Sequence, residues 1–371
     1  MIYFYTSIFV VLLVVFECFS KPQVRKICFW IGAVIVLFLF GFRGINVGGD
    51  TEKYVDFYLN KGAYFYGTLN DNDLEIVFVY FCKLLHCISE TPFMFIFGTS
   101  CLTLLPFFTV VYKYGTSKCI PLIYIFCFYY LIVCIETNIR QDVAVGLLIC
   151  SFLVYEKDKT NVYYLTGSFV LLLLALFCHT SMYLIVPLFI LALFVDLLKN
   201  KIVIYALIVS SYVIGTLTTQ YFESLYYSLM WLLGDSDTFV SMTKYADSAT
   251  FGLTGKSIAV SFQTMSLSIW TLFNIYNASS NELKNIFLKS MVIFCVLYNF
   301  TCSFPLAFRT FFLFELLSIV YVPVKLIRQK SMLVILCLWG AYWIRILYLM
   351  SITKSMQNAD TMMFPYKFIF E

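Results

Sequence analysis

The sequence predicts an all-α, polytopic membrane protein with about twelve transmembrane helices and one further outer helix, re-entrant or interfacial, near residues 74–88. Three observations predict it. Apolar residues make up 61% of the 371-residue chain and charged residues 12%, against roughly 25% charged in soluble domains. The apolar residues gather into runs near the length a helix needs to cross a bilayer, about 20 residues and fewer where the membrane is thin. Lys and Arg then recur in every second connection between those runs, as the positive-inside rule expects of a threaded chain. A net charge of +4 does not mark a nucleic-acid partner. With 40 Phe and 28 Tyr, the chain is not a disordered one either.

Taken in order, the candidate spans are Ile2–Phe19, Ile27–Gly41, Phe93–Val111, Ile120–Ile135, Gln141–Tyr155, Val162–Cys178, Met182–Leu198, Ile202–Thr216, Ser257–Asn277, Ile286–Ser303, Thr310–Val324 and Met332–Met350. The first has neither a basic leader nor a small-residue cleavage site, so a retained helix is expected there. Basic connections fall at 21–26, 113–118, 156–159, 199–201, around Lys284 and at 325–330. Placing these inside puts 43–92, 136–140, 179–181, 217–256 and 304–309 outside.

The alternation holds only if Leu74–Ile88 does not cross. That segment is 15 residues long and carries Glu75, Lys83 and His86, and charge within a span is costly. Pro92 then opens the next span, where its missing N–H removes no helical bond. Should Leu74–Ile88 cross instead, the charge rule is violated downstream. The whole chain, 1–371, reads as a single integral membrane domain with outer loops 43–92 and 217–256.

The 13 cysteines do not read as a metal or disulfide framework. Cys28, Cys101, Cys127, Cys150, Cys178 and Cys295 lie in apolar runs, no CxxC pair occurs, and the only histidines are His86 and His179. Buried cysteine behaves as a small hydrophobe. No metal and no cofactor are expected.

The chemistry-bearing residues collect on the expected outer face. Of six arginines, Arg43, Arg140 and Arg309 sit at outer ends of spans, and Arg345 lies within the last span. Each outer arginine reads either as an interfacial anchor or as a bidentate ligand for phosphate or carboxylate. Around Arg140 runs Glu136-Thr137-Asn138-Ile139-Arg140-Gln141-Asp142. Asn138 with Gln141 fits a helix cap, and a helix start beside a guanidinium favours a diphosphate. Alternatively, Glu136 and Asp142 pair with Arg140 across the turn.

Near Arg43, Gly48-Gly49 permits a tight turn and Asp50 or Thr51 caps a short helix. Tyr54, Phe57 and Tyr58 share one face of that helix. His179 stands at an outer turn before Thr180-Ser181. In loop 217–256, Trp231 and Tyr245 with nearby Asp residues suit a sugar chain, although interfacial anchoring also explains aromatics there. A hydrolase triad lacks its G-x-S-x-G elbow.

These residues, in this order, resemble the EpsG-like branch of the Wzy-type polysaccharide polymerases. The matching pieces are Phe42-Arg43-Gly44 with Val47-Gly48-Gly49-Asp50-Thr51 and Tyr54, Asp73-Leu74-Glu75-Ile76-Val77-Phe78, Ile139-Arg140-Gln141 with Ala144, and His179-Thr180-Ser181. Shorter ones are Lys244-Tyr245, Arg309 before Phe311-Phe312, and Pro365-Tyr366-Lys367-Phe368. The sequence departs from the pattern at Asp142 and at Gly48-Gly49-Asp50.

The resemblance implies an enzyme of the bacterial inner membrane acting in O-antigen, capsule or exopolysaccharide assembly. Its substrate would be oligosaccharide repeat units on undecaprenyl diphosphate, and a flippase and a chain-length regulator would serve the same pathway. Such a reaction needs cations for the departing diphosphate, and Arg140, Arg43 and Arg309 are the candidates. It also needs a base for the acceptor hydroxyl, and Glu75, Asp50 and His179 are the candidates. Glu75 is favoured, because an outer re-entrant helix would carry it into a cavity of low dielectric. Trp231 and Tyr245 would bind glycan. A ligase or another lipid-linked glycosyltransferase shares the carrier. A flippase would need a basic cavity between repeated halves, and no internal repeat is visible.

Overall fold

The computed structural model describes residues 8–9, 12–13, 21–45, 47, 51–59, 74–116, 139–194, 200–217, 258–301, 312–321 and 323. Its regular elements are helices, with no β-strand among the described residues. Among the described residues two helices are long and apolar enough to cross a membrane, within Gln23–Gly41 and Pro92–Tyr114, while Ile76–Ile88, Val162–Leu176, Lys201–Leu217 and Ile286–Thr301 are apolar but shorter. Large hydrophobics such as Trp30, Val34, Tyr80, Phe169 and Ile202 stand exposed, which suits a lipid surrounding. The all-α class is as the composition dictates. The candidate spans Ile120–Ile135 and Met332–Met350 lie outside the described residues, as does nearly all of Ile2–Phe19. In Thr310–Val324 the described helix is Phe312–Ser318.

The chain divides into two compact units, one of residues 1–186 with 327–371 and one of 187–326. In the first unit, α1 (Pro22–Gly41) packs on α4 (Pro92–Tyr114). Phe29 meets Phe108 edge-on at 6.3 Å and stacks on Tyr112 at 6.1 Å. Between them in sequence come α2 (Thr51–Tyr58) and α3 (Ile76–Ile88), both lying against α4. α2 buries Thr51, Tyr54, Val55 and Tyr58. That is the i, i+3, i+4, i+7 stripe of an amphipathic helix. Thr51 fastens its start by donating from Oγ1 to the Val47 carbonyl at 2.9 Å.

α3 is 13 residues long, or about 20 Å at 1.5 Å per residue, short of a hydrocarbon core of about 30 Å. One face buries Phe78, Val79, Cys82 and Leu85. The other exposes Ile76, Tyr80, Leu84 and Ile88 at four-residue spacing. A short helix apolar on both faces fits one that sits beside a bundle and is wetted by lipid.

α5 (Ile139–Tyr155) packs on both α4 and α6 (Val162–Leu176). Its approach to α4 has a local cause. Pro106 lies inside α4 and supplies no N–H, so the helix bond to the Leu102 carbonyl four residues back cannot form. Gly146 of α5 lies against that carbonyl, and a Cβ there would run into the Leu102 oxygen. Absence of a side chain lets the backbones close, as between small residues of membrane helices. Ser151 of α5 then donates from Oγ to the Ser168 carbonyl of α6 at 2.7 Å.

We expect Gly146→Leu to separate α4 from α5 and displace the start of α5. Overpacking typically costs about 1–3 kcal/mol and can cost more. Thermal unfolding of the purified protein in detergent measures it, and an unchanged midpoint would sink this account.

α7 (Met182–Phe194) crosses the boundary between the units. In the second unit, α8 (Lys201–Leu217), α9 (Ile258–Asn277) and α10 (Ile286–Thr301) pack together, and α11 (Phe312–Ser318) adjoins α10. Asn299 of α10 is buried and donates from Nδ2 to Ser211 Oγ of α8 at 3.1 Å and to Ser268 Oγ of α9 at 3.0 Å. A buried polar side chain shared by three helices ties them together. Gly215 permits this approach, because a Cβ there would strike the Asn299 carbonyl.

Candidate active site

The first unit brings together four segments that are far apart in sequence. Arg140 occupies the second position of α5 and reaches back across them. Its Nη1 meets Glu75 Oε2 at 2.6 Å in an ion pair whose side chains are 27% and 17% exposed. Its Nε donates to Tyr54 Oη at 2.7 Å. The guanidinium also lies over the Tyr54 ring, 5.6 Å from the centroid, where the ring quadrupole favours a cation. Tyr54 is itself buried and braced edge-on against Phe78 at 5.6 Å. Two of the five donors of Arg140 are thus committed, and Nη2 keeps both of its own among the described residues.

Glu75 sits at the extended residue before α3, with φ −65° and ψ 136°. The start of α3 docks on the turn between α6 and α7, because Val77 N–H donates to the Phe177 carbonyl at 3.3 Å. From that turn Thr180 N–H donates to Glu75 Oε1 at 3.3 Å. Both carboxylate oxygens therefore have a donor, one from a guanidinium and one from backbone. Glu75, expected in a cavity of low dielectric, is held in this ion pair with its side chain 17% exposed.

The same turn holds His179. Ser181 N–H donates to His179 Nδ1 at 3.1 Å, and Ser181 Oγ lies 2.8 Å from the same nitrogen. Burial pulls the imidazole down to about 4; the Glu75 carboxylate opposes the shift and Arg140 adds to it. The ring is therefore neutral at pH 7. Beneath it, buried Cys178 points its Sγ at the Arg140 carbonyl, 3.8 Å away.

The structure thus joins Arg140, Glu75 and His179. It does not bring Arg43 to an open surface. Arg43 is 2% exposed and donates from Nη1 to the Phe40 carbonyl at 2.9 Å and to Ser100 Oγ at 3.5 Å. A cation at the last carbonyls of α1 is well placed against the helix dipole, and there it ties α1 to α4. Asp50, Arg309, Trp231 and Tyr245 lie outside the described residues, as do Asn138 of the expected cap and Glu136, the expected alternative partner of Arg140.

Asp142 and Gln141 are buried within α5, and among the described residues the carboxylate that Arg140 meets is the distant Glu75. Tyr54 and Thr180, which the sequence places in motifs without assigning them a role, are members of the site. Tyr54 was visible as the aromatic ending the glycine motif, but nothing local says which cation it stacks on. Among the described residues no three His, Cys, Asp or Glu side chains group as metal ligands.

The apolar helical fold holds one cluster of guanidinium, carboxylate, phenol and imidazole, as suits a membrane protein with a polar site, and the family match adds its class, that of the Wzy-type polysaccharide polymerases. The chain belongs to the EpsG family, whose model matches residues 26–368. No curated protein and no solved structure matches it. Three of the motif runs that carried the resemblance meet in the side chains of Tyr54, Glu75 and Arg140, and a fourth reaches Glu75 through the Thr180 amide.

Proposed function

We infer that this protein joins undecaprenyl-diphosphate-linked oligosaccharide repeat units into O-antigen, capsular or exopolysaccharide chains on the outer face of the bacterial inner membrane. The observation that carries the reading is the meeting of Glu75, Arg140 and the His179–Thr180 turn in a member of the EpsG family. The chain would cross the membrane about twelve times as a single membrane domain, with α3 resting on the outer side.

In this reaction the acceptor hydroxyl oxygen bonds to the sugar carbon that carries the donor diphosphate. The bond from that carbon to the diphosphate oxygen breaks, and the electron pair leaves with the lipid diphosphate. Glu75 takes the hydroxyl proton. Arg140 does two things at once: Nη1 orients Glu75, and Nη2 faces the phosphate oxygens where charge develops. A planar fork can serve both because its donors diverge in fixed directions.

The Arg140–Glu75 pair has no net charge, so a dianionic leaving group calls for further positive charge. Arg309 on the connection 304–309 would supply it, and Arg43 would act from within by fixing the frame. Asp50 would shape the entry to α2. Trp231 and Tyr245 would present aromatic faces to the glycan. The reaction as written calls on no metal ion or cofactor. A flippase of the same pathway would deliver substrate, and a chain-length regulator would end the chain.

Reconstitution tests the reading. Purified protein in liposomes, given lipid-linked repeat units, is expected to yield a ladder of lipid-linked glycans. Transfer of one unit without a ladder would indicate a ligase or simple transferase. Movement across the bilayer at unchanged length would indicate a flippase. Either outcome overturns the polymerase reading.

A further inference from the structure

We propose that His179 works as a neutral hydrogen-bond donor, giving its Nε2–H to an oxygen of the departing lipid diphosphate, and is not a base. The inference rests on the polymerase reading for its substrate, but its structural half stands on geometry alone. Ser181 N–H donates to His179 Nδ1 at 3.1 Å. A backbone amide can only donate, so Nδ1 must carry the ring's lone pair. In a neutral imidazole the single proton is then on Nε2. Ser181 Oγ, 2.8 Å from Nδ1, is free to turn its own hydrogen toward the same lone pair.

Protonating the ring would set a second N–H at Nδ1 head-on against the Ser181 amide. The device holding the tautomer is local: Ser181 is two residues on, at the turn that opens α7, where the Met182 and Tyr183 amides bond to the His179 and Thr180 carbonyls. The charged groups facing the ring are Glu75, which precedes α3, and Arg140 of α5; the Cys178 thiol lies on the adjoining chain.

Nε2 has no partner among the described residues, and the ring is half-buried. Its neighbour Thr180 has already bound Glu75 Oε1 through its amide. One turn therefore aims one donor at the carboxylate and leaves a second, of the opposite chemical use from a base, beside it. A neutral N–H suits the leaving side of the reaction. It stabilises developing negative charge on a phosphate oxygen without losing its proton, so it needs no recharging between successive transfers. The proton released by the acceptor goes to Glu75, and no proton leaves His179 at any step.

The chain has only two histidines, which makes the tautomer directly measurable. With His86→Gln removing the second ring, nitrogen-15 histidine labelling in lipid nanodiscs should show an unprotonated Nδ1 and a protonated Nε2. The spectrum should not change between pH 8 and pH 5.5. A proton on Nδ1, or an imidazolium at pH 7, overturns the proposal.

Activity gives a second reading. His179→Gln places an amide N–H near the Nε2 position and should keep ladder formation within about tenfold of the parent, whereas His179→Ala should lose about 10²-fold or more. Gln as inactive as Ala at parental protein level, or both fully active, overturns the donor role. A parent protein that lengthens no glycan while showing the expected spectrum would instead remove the polymerase reading, and with it the substrate assigned to this donor.

Discussion

Glu75→Gln is expected to abolish polymer while leaving the protein inserted at its normal level. The amide is the same size as the carboxylate and keeps one acceptor oxygen. That oxygen can serve either Arg140 Nη1 or the Thr180 amide, which now meet Oε2 and Oε1 at 2.6 and 3.3 Å. It cannot serve both, so one donor will face an NH₂ group. A mismatched donor costs about 1–3 kcal/mol when buried, and less at this half-open site. The chemical loss is larger, because an amide cannot take the acceptor proton, and general-base help contributes typically about 10²–10⁴ in rate. Single lipid-linked repeats should accumulate. Full ladders from Glu75→Gln would remove this residue from the base role, and Asp50 would be the next to test.

Arg140 should be as sensitive, for a different reason. Lysine keeps the charge but has no fork. Its ammonium cannot donate at once to Tyr54 Oη at 2.7 Å and to Glu75 Oε2 at 2.6 Å while also presenting an outward edge to phosphate. The expected cost is about 10²–10³ in rate, the scale of one preorganised donor, so product should be confined to the shortest glycans. Arg140→Ala should abolish polymer, because the Glu75 carboxylate loses its counter-ion and repels the diphosphate.

Breaking a fully buried pair costs about 3–5 kcal/mol; with both groups partly exposed the loss here is smaller, and folded protein should remain. Tyr54→Phe keeps the stacked ring and removes the Nε acceptor, so its activity should fall between the parent and Lys. The measurement is ladder length by gel at matched protein level. An interfacial anchor would accept Lys with parental ladders, and that result would end the catalytic assignment of Arg140.

How far the site could be read in advance differs from residue to residue. Arg140, Glu75 and His179 were legible because each stands in a polar motif interrupting a very apolar chain with only 12% charged residues. The partner of Arg140 was not legible. Asp142 is its neighbour in sequence, yet Asp142 lies buried in α5, and among the described residues the ion pair is made with a residue 65 positions away. Arg43 carried the same signal as Arg140, and its side chain turned inward to the end of α1.

Composition, run length and charge bias are properties of the chain in one dimension. By themselves they determined the all-α membrane class, a short apolar helix within 74–88 and the motifs that mark the family. The tertiary structure alone decided which motifs meet. That follows from how closely helices pack: Pro106 frees the Leu102 carbonyl, Gly146 lies against it, and α5 thereby comes to rest beside α4 and its companions α2 and α3. Only then can Arg140 span from Tyr54 to Glu75. The state of His179 was decided the same way. Residue type allows donor, base or cation, and one backbone amide at 3.1 Å selects among them.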